Sequence, residues 1–298
     1  MSLVEKALKK LQDSRGSESA PSAPMYSQIP EVAQATYVEE VRSSRVISLD
    51  RVALRAGGLM PPLDQERSIS EQFRQIKRPL VAAALKQGSE GKNLHVIMVS
   101  SSRPGEGKTF VSVNLALSLS LERDIKVVLV DADVAKRDIT VQFGLGDEPG
   151  LLDALQDQTL NIENLILPTD VPNLSVLPAG RWTETATELL ASRKMAELMS
   201  ALARKHPNRM ALFDSAPLLL TNESRVLAQS AGQLAVVVRA GVTSQQDLLD
   251  ALAHIPEDKT VGLVLNQSMS ASESYYYQGV YTGSTGTSKA TVDEQVGG

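Results

Sequence analysis

The sequence predicts an α/β fold in which a doubly wound, mainly parallel sheet carries helices on both faces. Nearly uninterrupted apolar runs such as Val127–Val130, typical of strands buried on both faces, alternate with segments of helical periodicity. A loop carrying Gly105 and Gly107 connects the first strand to a helix. We expect strands at residues 95–101, 126–131, 173–177, 210–214, 233–239 and 260–265, and helices near residues 110–121, 150–157, 184–206, 221–230 and 243–253.

The two ends of the chain differ in composition from this core. Apolar residues at helical spacing in residues 1–12 predict an amphipathic helix, which either docks on a partner or a membrane or is a frayed terminal helix. Ser, Pro and charged residues predict a flexible linker over residues 13–67. The compact domain is therefore expected to cover residues 68–270, beginning with a helix, and to be followed by a disordered tail over residues 271–298.

Composition narrows the function classes. The 298 residues carry a net charge of −5, which does not favour nucleic acid as a partner. The absence of cysteine excludes a disulfide framework and thiolate metal sites. No apolar run approaches the roughly 18 residues of a membrane span, and the first residues lack the apolar core of a signal peptide. We therefore expect a cytoplasmic protein that meets the inner membrane only through a membrane partner.

The loop that follows the first strand has the pattern of a phosphate-binding loop. It ends in Gly-Lys-Thr and opens a helix, although Ser102 stands where the usual pattern has its first glycine. Backbone N–H groups and the helix dipole suit a polyphosphate, with Lys108 on the β- and γ-phosphates and Thr109 on Mg²⁺. A chance glycine-rich turn is the alternative. The expected nucleotide contacts are Arg103, Pro104, Gly105, Glu106, Gly107, Lys108, Thr109 and Phe110.

Three carboxylates come at the ends of two further predicted strands. Asp131 and Asp133 follow the second strand, and Asp214 ends the strand at residues 210–214. Because the carboxyl ends of parallel strands meet at one edge of a sheet, we expect these carboxylates near the phosphate loop. Turn formation after a strand is the alternative explanation for Asp131 and Asp133. The order of the three loops instead favours a nucleotide site with Mg²⁺.

These motifs resemble those of the bacterial tyrosine kinases, whose catalytic domain descends from the deviant-Walker ATPases. Residues 101–109 are similar to the family's Walker A motif, residues 131–133 to its Walker A′ motif and residues 213–217 to its Walker B motif. The resemblance covers about residues 68–281 and implies a P-loop NTPase fold that uses ATP and Mg²⁺. In the wider superfamily an Asn at the position of Asn266 contacts adenine.

The resemblance also implies catalytic roles. Lys108 would bind the phosphates, and either Asp131 or Asp133 would orient or deprotonate the incoming tyrosine hydroxyl. Mg²⁺ would be held by Thr109, Asp133 and Asp214. Arg103 stands where partitioning ATPases of the superfamily place a lysine that reaches across a dimer.

A tyrosine cluster near the end of the sequence favours a kinase over an ATPase that only hydrolyses ATP. It holds four of the six tyrosines of the chain. A β-strand or an aggregation-prone patch would also be rich in tyrosine. The cluster resembles the family's autophosphorylation target, which makes the expected acceptors Tyr275, Tyr276, Tyr277 and Tyr281.

The first predicted helix of the domain carries a charged pattern that resembles the family's subunit-joining motif. Glu71, Arg74 and Lys77 are spaced three apart, which also fits an ordinary solvated face. The family has an arginine at the third position, and lysine does not reproduce its bidentate contacts. The resemblance implies self-association as a ring or dimer, with phosphorylation between subunits.

Further partners follow from the resemblance. The run from Asp131 to Lys136 is similar to that of a subgroup, the exosortase-associated tyrosine autokinases of exopolysaccharide loci. A membrane polysaccharide co-polymerase as activator and a protein-tyrosine phosphatase are therefore expected. Two other function classes stay open: a dimerising ATPase switch of the partitioning or division-site type, and a regulator that senses ATP without turnover.

Overall fold

The computed structural model describes residues 45–85, 93–204, 206 and 208–268. Within these ranges the strands are β1 (Val96–Ser101), β2 (Lys126–Asp131), β3 (Leu167–Pro168), β4 (Leu174–Leu177), β5 (Arg209–Asp214), β6 (Gln233–Arg239) and β7 (Thr260–Asn266). The helices are α1 (Arg51–Ala56), α2 (Glu66–Ala84), α3 (Lys108–Ser120), α4 (Asp138–Gln142), α5 (Leu151–Gln156), α6 (Ala186–Leu190), α7 (Arg193–Arg204), α8 (Asn222–Ser230) and α9 (Gln245–Leu252).

The strands form one sheet in the order β3-β4-β2-β5-β1-β6-β7. Every pairing is parallel except that of β3 with β4, which is antiparallel. The chain moves from β1 to β2 on one side of the sheet and reaches β6 on the other, so β1 lies where the strand order reverses. Open α/β sheets bind ligands at the carboxyl ends of strands beside such a reversal.

Successive side chains of the central strands enter two different cores. Val96 and Met98 face the core that holds α5 to α8, while Ile97 and Val99 face the core that holds α2 and α3. This alternation is the period of two of a strand, and both faces are apolar because helices cover both. The prediction of a doubly wound, mainly parallel sheet is therefore confirmed.

The packed part of the chain begins well before Ser68. Ile47, Leu49 and Leu54 are buried in the α2–α3 core. The backbone N–H of Ile47 donates to Pro168 O at 2.8 Å, which fixes this segment beside β3. The prediction of a flexible linker is therefore wrong for residues 45–67, because a few spaced apolar side chains anchor an otherwise polar segment. The predicted elements at residues 1–12, the linker over 13–44 and the tail over 271–298 lie outside the described residues.

Two details of the secondary structure differ from expectation. The single helix expected over residues 184–206 is two helices, α6 and α7, separated at Ser192. The Ser192 hydroxyl donates to Leu189 O at 2.6 Å and accepts from the N–H of Met195 at 3.2 Å, so the same side chain ends one helix and starts the next. The short elements α1, α4 and β3 have too few residues to show a period.

Candidate nucleotide site

The phosphate loop runs from the end of β1 into the first turn of α3. Gly105 and Gly107 both have positive φ angles, +80° and +93°. A Cβ atom at Gly107 would overlap Nδ2 of Asn266, because that amide reaches across from the end of β7. The loop therefore requires glycine at position 107 for two reasons, its left-handed backbone and the close approach of Asn266.

Lys108 is the first residue of α3 and is 4% exposed. Burial lowers the pKa of its ammonium group, and the carboxylates of Asp214 and Asp133 oppose that effect. The Lys108 ammonium therefore lies beside the phosphate loop, near the carboxylates of Asp214 at the end of β5 and Asp133 after β2. The structure therefore brings Lys108 near two of the three carboxylates predicted for this sheet edge, Asp133 and Asp214.

The side chains of Arg103 and Glu106 contact their own chain. The Arg103 guanidinium donates to Oδ1 of Asp247 at 2.7 Å, and the Arg103 N–H donates to Oε2 of Glu106 at 2.9 Å. Glu106 is 3% exposed, and its Oε1 accepts a hydrogen bond from the Thr243 hydroxyl. Both side chains and the backbone N–H of Arg103 therefore have partners within the chain, and the nucleotide contacts of these two residues stay predictions.

Phe110 and Pro104 complete the expected nucleotide contacts. The Phe110 ring packs against Phe73 of α2, with centroids 6.1 Å apart. Its aromatic face is thus directed to the helix layer and away from the carboxyl edge of the sheet. Pro104 lies exposed in the turn of the loop.

Asp131 is fully buried at the end of β2. Its Oδ2 accepts from the N–H and the hydroxyl of Thr140, at 2.8 and 2.7 Å, while Oδ1 has no hydrogen-bond partner. Burial raises the pKa of this carboxyl to about 6, and the bonds from Thr140 oppose the rise. The Thr140 hydroxyl also accepts from the N–H of Ala179 at 2.9 Å. Asp131 therefore fixes α4 to the end of β2.

Asp214 is equally buried at the end of β5. Its Oδ1 accepts from the Ser112 hydroxyl at 2.8 Å, and within the described part of the chain its Oδ2 has no hydrogen-bond partner of ordinary geometry. Burial raises its pKa to about 7, the charge of Asp131 adds to the rise, and the hydroxyls of Ser112 and Thr109 oppose it. The free Oδ2 and the nearby Thr109 hydroxyl are oxygen donors of the kind that Mg²⁺ prefers.

Asp133 follows β2 and is 4% exposed. Burial raises the pKa of its carboxyl, and the ammonium of Lys108 opposes the rise. Among the described residues, no three acidic or histidine side chains are grouped closely enough to hold a metal ion by themselves. This arrangement suits Mg²⁺, which commonly takes one or two protein ligands together with substrate phosphates and water.

Asn266 lies at the end of β7, beside the phosphate loop. Its Nδ2 donates to Glu106 O at 2.9 Å, and its Oδ1 accepts from the N–H of Gln267 at 2.9 Å. Both ends of the amide therefore have partners within the chain. The structure places Asn266 next to the loop, and its adenine contact stays a prediction.

The charged residues of α2 do not share one face. Glu71 and Arg74 are exposed and form an ion pair at 2.9 Å. Lys77 is buried, where its ammonium donates to Ser118 O at 2.8 Å and pairs with Glu122 at 2.7 Å. The side chain of Lys77 is therefore committed to its own chain, and its role as a subunit contact stays a prediction.

Sequence reasoning missed three hydroxyl residues that shape the site. Ser112 binds Asp214, Thr140 binds Asp131 and Thr243 binds Glu106. Ser112 lies one helical turn after Lys108, on a helix already expected at this position, so it was within reach of sequence analysis. Thr140 and Thr243 lie in short or irregular segments that show no periodic signal. The expected acceptors Tyr275, Tyr276, Tyr277 and Tyr281 lie outside the described residues.

A parallel sheet with a phosphate loop between β1 and α3, and with carboxylates after β2 and β5, defines a P-loop nucleotide-binding protein. Residues 94–267, more than half of the chain, match the AAA domain family, and the chain belongs to that family. Among the described residues, no helix is long and apolar enough to cross a membrane.

Several curated relatives of this chain are named as bacterial tyrosine-protein kinases. Tyrosine-protein kinase ptk of Acinetobacter johnsonii is 30% identical over 61% of this chain and 24% of its own length. Tyrosine-protein kinase YwqD of Bacillus subtilis is 27% identical over 70% of this chain and 86% of its own length. This chain thus spans about a quarter of ptk but most of YwqD.

A solved structure supports the same relationship. The VpsO kinase domain is 27% identical, with a TM-score of 0.58, and the match covers 70% of this chain and all of that one. The resemblance to bacterial tyrosine kinases that the motifs predicted is therefore confirmed. The closer assignment to the exosortase-associated subgroup stays a prediction.

Proposed function

We propose that this chain is an ATP-dependent protein-tyrosine autokinase that acts in exopolysaccharide polymerisation or export. The observation that carries the proposal is the meeting of Lys108 with the carboxylates of Asp133 and Asp214 at the mouth of the phosphate loop. Phosphoryl transfer needs positioned phosphates and charge neutralisation more than covalent chemistry from the protein. The relatives are named tyrosine-protein kinases, which supports tyrosine as the acceptor of the phosphoryl group.

Different groups in and beside the loop would bind the phosphates and Mg²⁺. Backbone N–H groups from Gly105 to Thr109 and the ammonium of Lys108 would hold the phosphates. The Thr109 hydroxyl and the free Oδ2 of Asp214 would hold Mg²⁺, with Asp133 beside them. Mg²⁺ supplies neutralisation of the charge on the transferring phosphoryl group when it is bound with ATP.

We assign the role of base to Asp133. Asp131 is fully buried and accepts two hydrogen bonds from Thr140, so we assign its carboxylate a structural role in place of a catalytic one. Burial raises the pKa of Asp133, which makes its carboxylate a better proton acceptor. In the transfer, the tyrosine oxygen bonds to the γ-phosphorus while the bond to the β,γ-bridging oxygen breaks. Asp133 takes the phenolic proton, and ADP leaves.

The acceptors in this proposal are Tyr275, Tyr276, Tyr277 and Tyr281 of a neighbouring subunit. The exposed pair of Glu71 and Arg74 on α2 is the proposed contact for self-association as a ring or dimer. The proposal also includes a membrane polysaccharide co-polymerase as activator and a protein-tyrosine phosphatase that reverses the modification. The protein would then be cytoplasmic and peripheral to the inner membrane.

Labelling with γ-³²P-ATP and Mg²⁺ tests the acceptors. The wild type is compared with a variant in which the four proposed acceptors are phenylalanine. A matched control changes the other two tyrosines, Tyr26→Phe with Tyr37→Phe. We expect label on tyrosine in the wild type and the control and its loss in the four-residue variant. Label that persists in that variant, or released phosphate without phosphotyrosine in the wild type, would contradict the proposal.

A further inference from the structure

Hydrogen bonds connect the phosphate loop to the segment between β6 and α9, to α9 itself and to the end of β7. Arg103 binds Asp247 of α9, the side chain of Glu106 binds Thr243 before α9, and Glu106 O binds Asn266 of β7. These contacts join residues that are 137 to 160 positions apart in the chain. The conformation of the loop is therefore set by segments beyond its own sequence.

Glu106 places a carboxylate inside the loop that is expected to bind polyphosphate. Its carboxylate is 3% exposed and lies within the loop, two residues before Lys108. A negative charge at this place repels phosphate oxygens unless it is directed away and neutralised by hydrogen bonds. Two donors hold it: the Arg103 N–H at 2.9 Å on Oε2 and the Thr243 hydroxyl on Oε1. The second donor comes from outside the loop.

The position of the Thr243 hydroxyl is fixed by the turn that carries it. Its Oγ1 accepts from the N–H of Arg239 at 2.9 Å, and its own N–H donates to Arg239 O at 3.0 Å. Gly241 lies between them with a φ of +68°, which closes the turn. The Thr243 hydroxyl therefore donates its proton to Glu106 while its oxygen accepts from the N–H of Arg239.

We propose that Thr243 is a positioning residue for nucleotide binding, which holds the Glu106 carboxylate away from the triphosphate. The inference rests on the nucleotide-binding part of the proposed function. Without the Thr243 hydroxyl the carboxylate keeps one donor and turns toward the phosphates, where it repels them. Loss of the hydroxyl therefore weakens MgATP binding about tenfold, as expected for one unit charge close to the phosphates in a water-like dielectric.

The test measures the Kd of a fluorescent ATP analogue with Mg²⁺ for wild type, Thr243→Val, Thr243→Ser and the double variant Thr243→Val with Glu106→Gln. Valine keeps the shape of threonine without its hydroxyl, and serine keeps the hydroxyl. We expect about tenfold weaker binding for Thr243→Val. Thr243→Ser should bind like the wild type. Glu106→Gln should restore most of the affinity in the double variant, because it removes the charge. A merely structural role would not give that recovery.

Thr159→Val is the matched control. The Thr159 hydroxyl donates to Oδ1 of Asp157 at 2.7 Å in an exposed connection, so the change removes the same kind of bond elsewhere. This variant should bind nucleotide like the wild type. In steady-state phosphorylation, Thr243→Val should raise KM for ATP while kcat at saturating ATP stays near that of the wild type.

The outcomes separate the two proposals. Wild-type affinity in Thr243→Val, equal loss in Thr243→Ser, or no recovery in the double variant would overturn the role of Thr243 alone. Failure of the wild type to bind the analogue would overturn the proposed function together with this role. Binding without phosphotyrosine, with the expected pattern among the variants, would sustain Thr243 and overturn the kinase assignment.

Discussion

Asp131 and Asp214 are paired residues on neighbouring parallel strands, and each has one buried carboxylate oxygen without a hydrogen-bond partner among the described residues. The other oxygen of each accepts from a hydroxyl, that of Thr140 for Asp131 and that of Ser112 for Asp214. Two buried carboxyls on adjacent strands repel when both are ionised. The pair therefore holds protons more tightly than exposed carboxyls do, and a cation at this edge would relieve the repulsion.

Replacing Asp214 with asparagine changes how stability depends on pH. Its pKa is raised from 3.8 to about 7, so the folded protein keeps a proton that the unfolded chain releases. The free energy of unfolding of the metal-free protein therefore falls as pH rises from about 4 to about 7. We expect Asp214→Asn to flatten this fall and to raise Tm at pH 8 by about 3 °C.

Thermal unfolding in EDTA at several pH values measures the effect. Asp124→Asn changes an exposed aspartate and is the control. A slope in Asp214→Asn as steep as that of the wild type would show that Asp214 is not the group that titrates.

Replacing Thr140 with valine destabilises the fold. The hydroxyl donates to Asp131 and accepts from the N–H of Ala179, and both partners are buried. Valine fills the same space but leaves that N–H without its acceptor and Asp131 with one donor fewer. We expect a loss of about 2–4 kcal/mol in the free energy of unfolding, measured with urea. Thr159→Val should lose less than about 0.5 kcal/mol because its bond is exposed. Equal losses in the two variants would contradict this account of Thr140.

Replacing Gly107 with alanine separates backbone strain from steric overlap. Gly105 and Gly107 both have positive φ, but a Cβ at Gly105 meets no atom within 4 Å, whereas one at Gly107 meets Asn266. We expect Gly107→Ala to weaken nucleotide binding more than Gly105→Ala does. Because Asn266 is itself an expected adenine contact, the loss is also measured in its absence: Gly107→Ala should cost less affinity in an Asn266→Ala background than in the wild type. Nucleotide titration measures both effects, and an equal loss in the two backgrounds would assign the whole loss to strain.

Replacing Lys77 with methionine affects stability, while replacing Arg74 affects assembly. Lys77 binds Ser118 O and Glu122 within the chain, so Lys77→Met should lower the free energy of unfolding by about 1–2 kcal/mol. Arg74 is exposed, so Arg74→Glu should weaken the proposed self-association and leave unfolding nearly unchanged. Sedimentation velocity and urea unfolding measure the two properties. Loss of assembly in a folded Lys77→Met would contradict the assignment.

Most of the sheet was predictable because its central strands β1, β2, β5 and β6 are almost wholly buried. Runs such as Val127–Val130 are recognisable as strands without knowledge of their neighbours in the sheet. The placement of the carboxylates at one edge follows from the parallel direction of the strands. The segment 45–67 was not predictable. Its anchors Ile47, Leu49 and Leu54 are separated by polar residues and become recognisable only when α2 and α3 are in place.

The face of α2 shows a second limit of sequence patterns. Three-residue spacing on a helix of 3.6 residues per turn drifts by about 60° at each step, so Lys77 lies about 120° away from Glu71. That rotation is enough to turn Lys77 toward α3 while Glu71 stays exposed. Thr243 shows a third limit, because its bond to Glu106 joins positions that only the folded sheet brings together.

Phosphoamino-acid analysis after incubation with γ-³²P-ATP and Mg²⁺ tests the central claim most directly. The comparison is between the wild type and Lys108→Met, with thermal unfolding as the check that the variant is folded. If Lys108 and the carboxylates of Asp133 and Asp214 transfer phosphate to tyrosine, the wild type yields phosphotyrosine and Lys108→Met yields none. Phosphotyrosine at wild-type levels in a folded Lys108→Met would contradict the account.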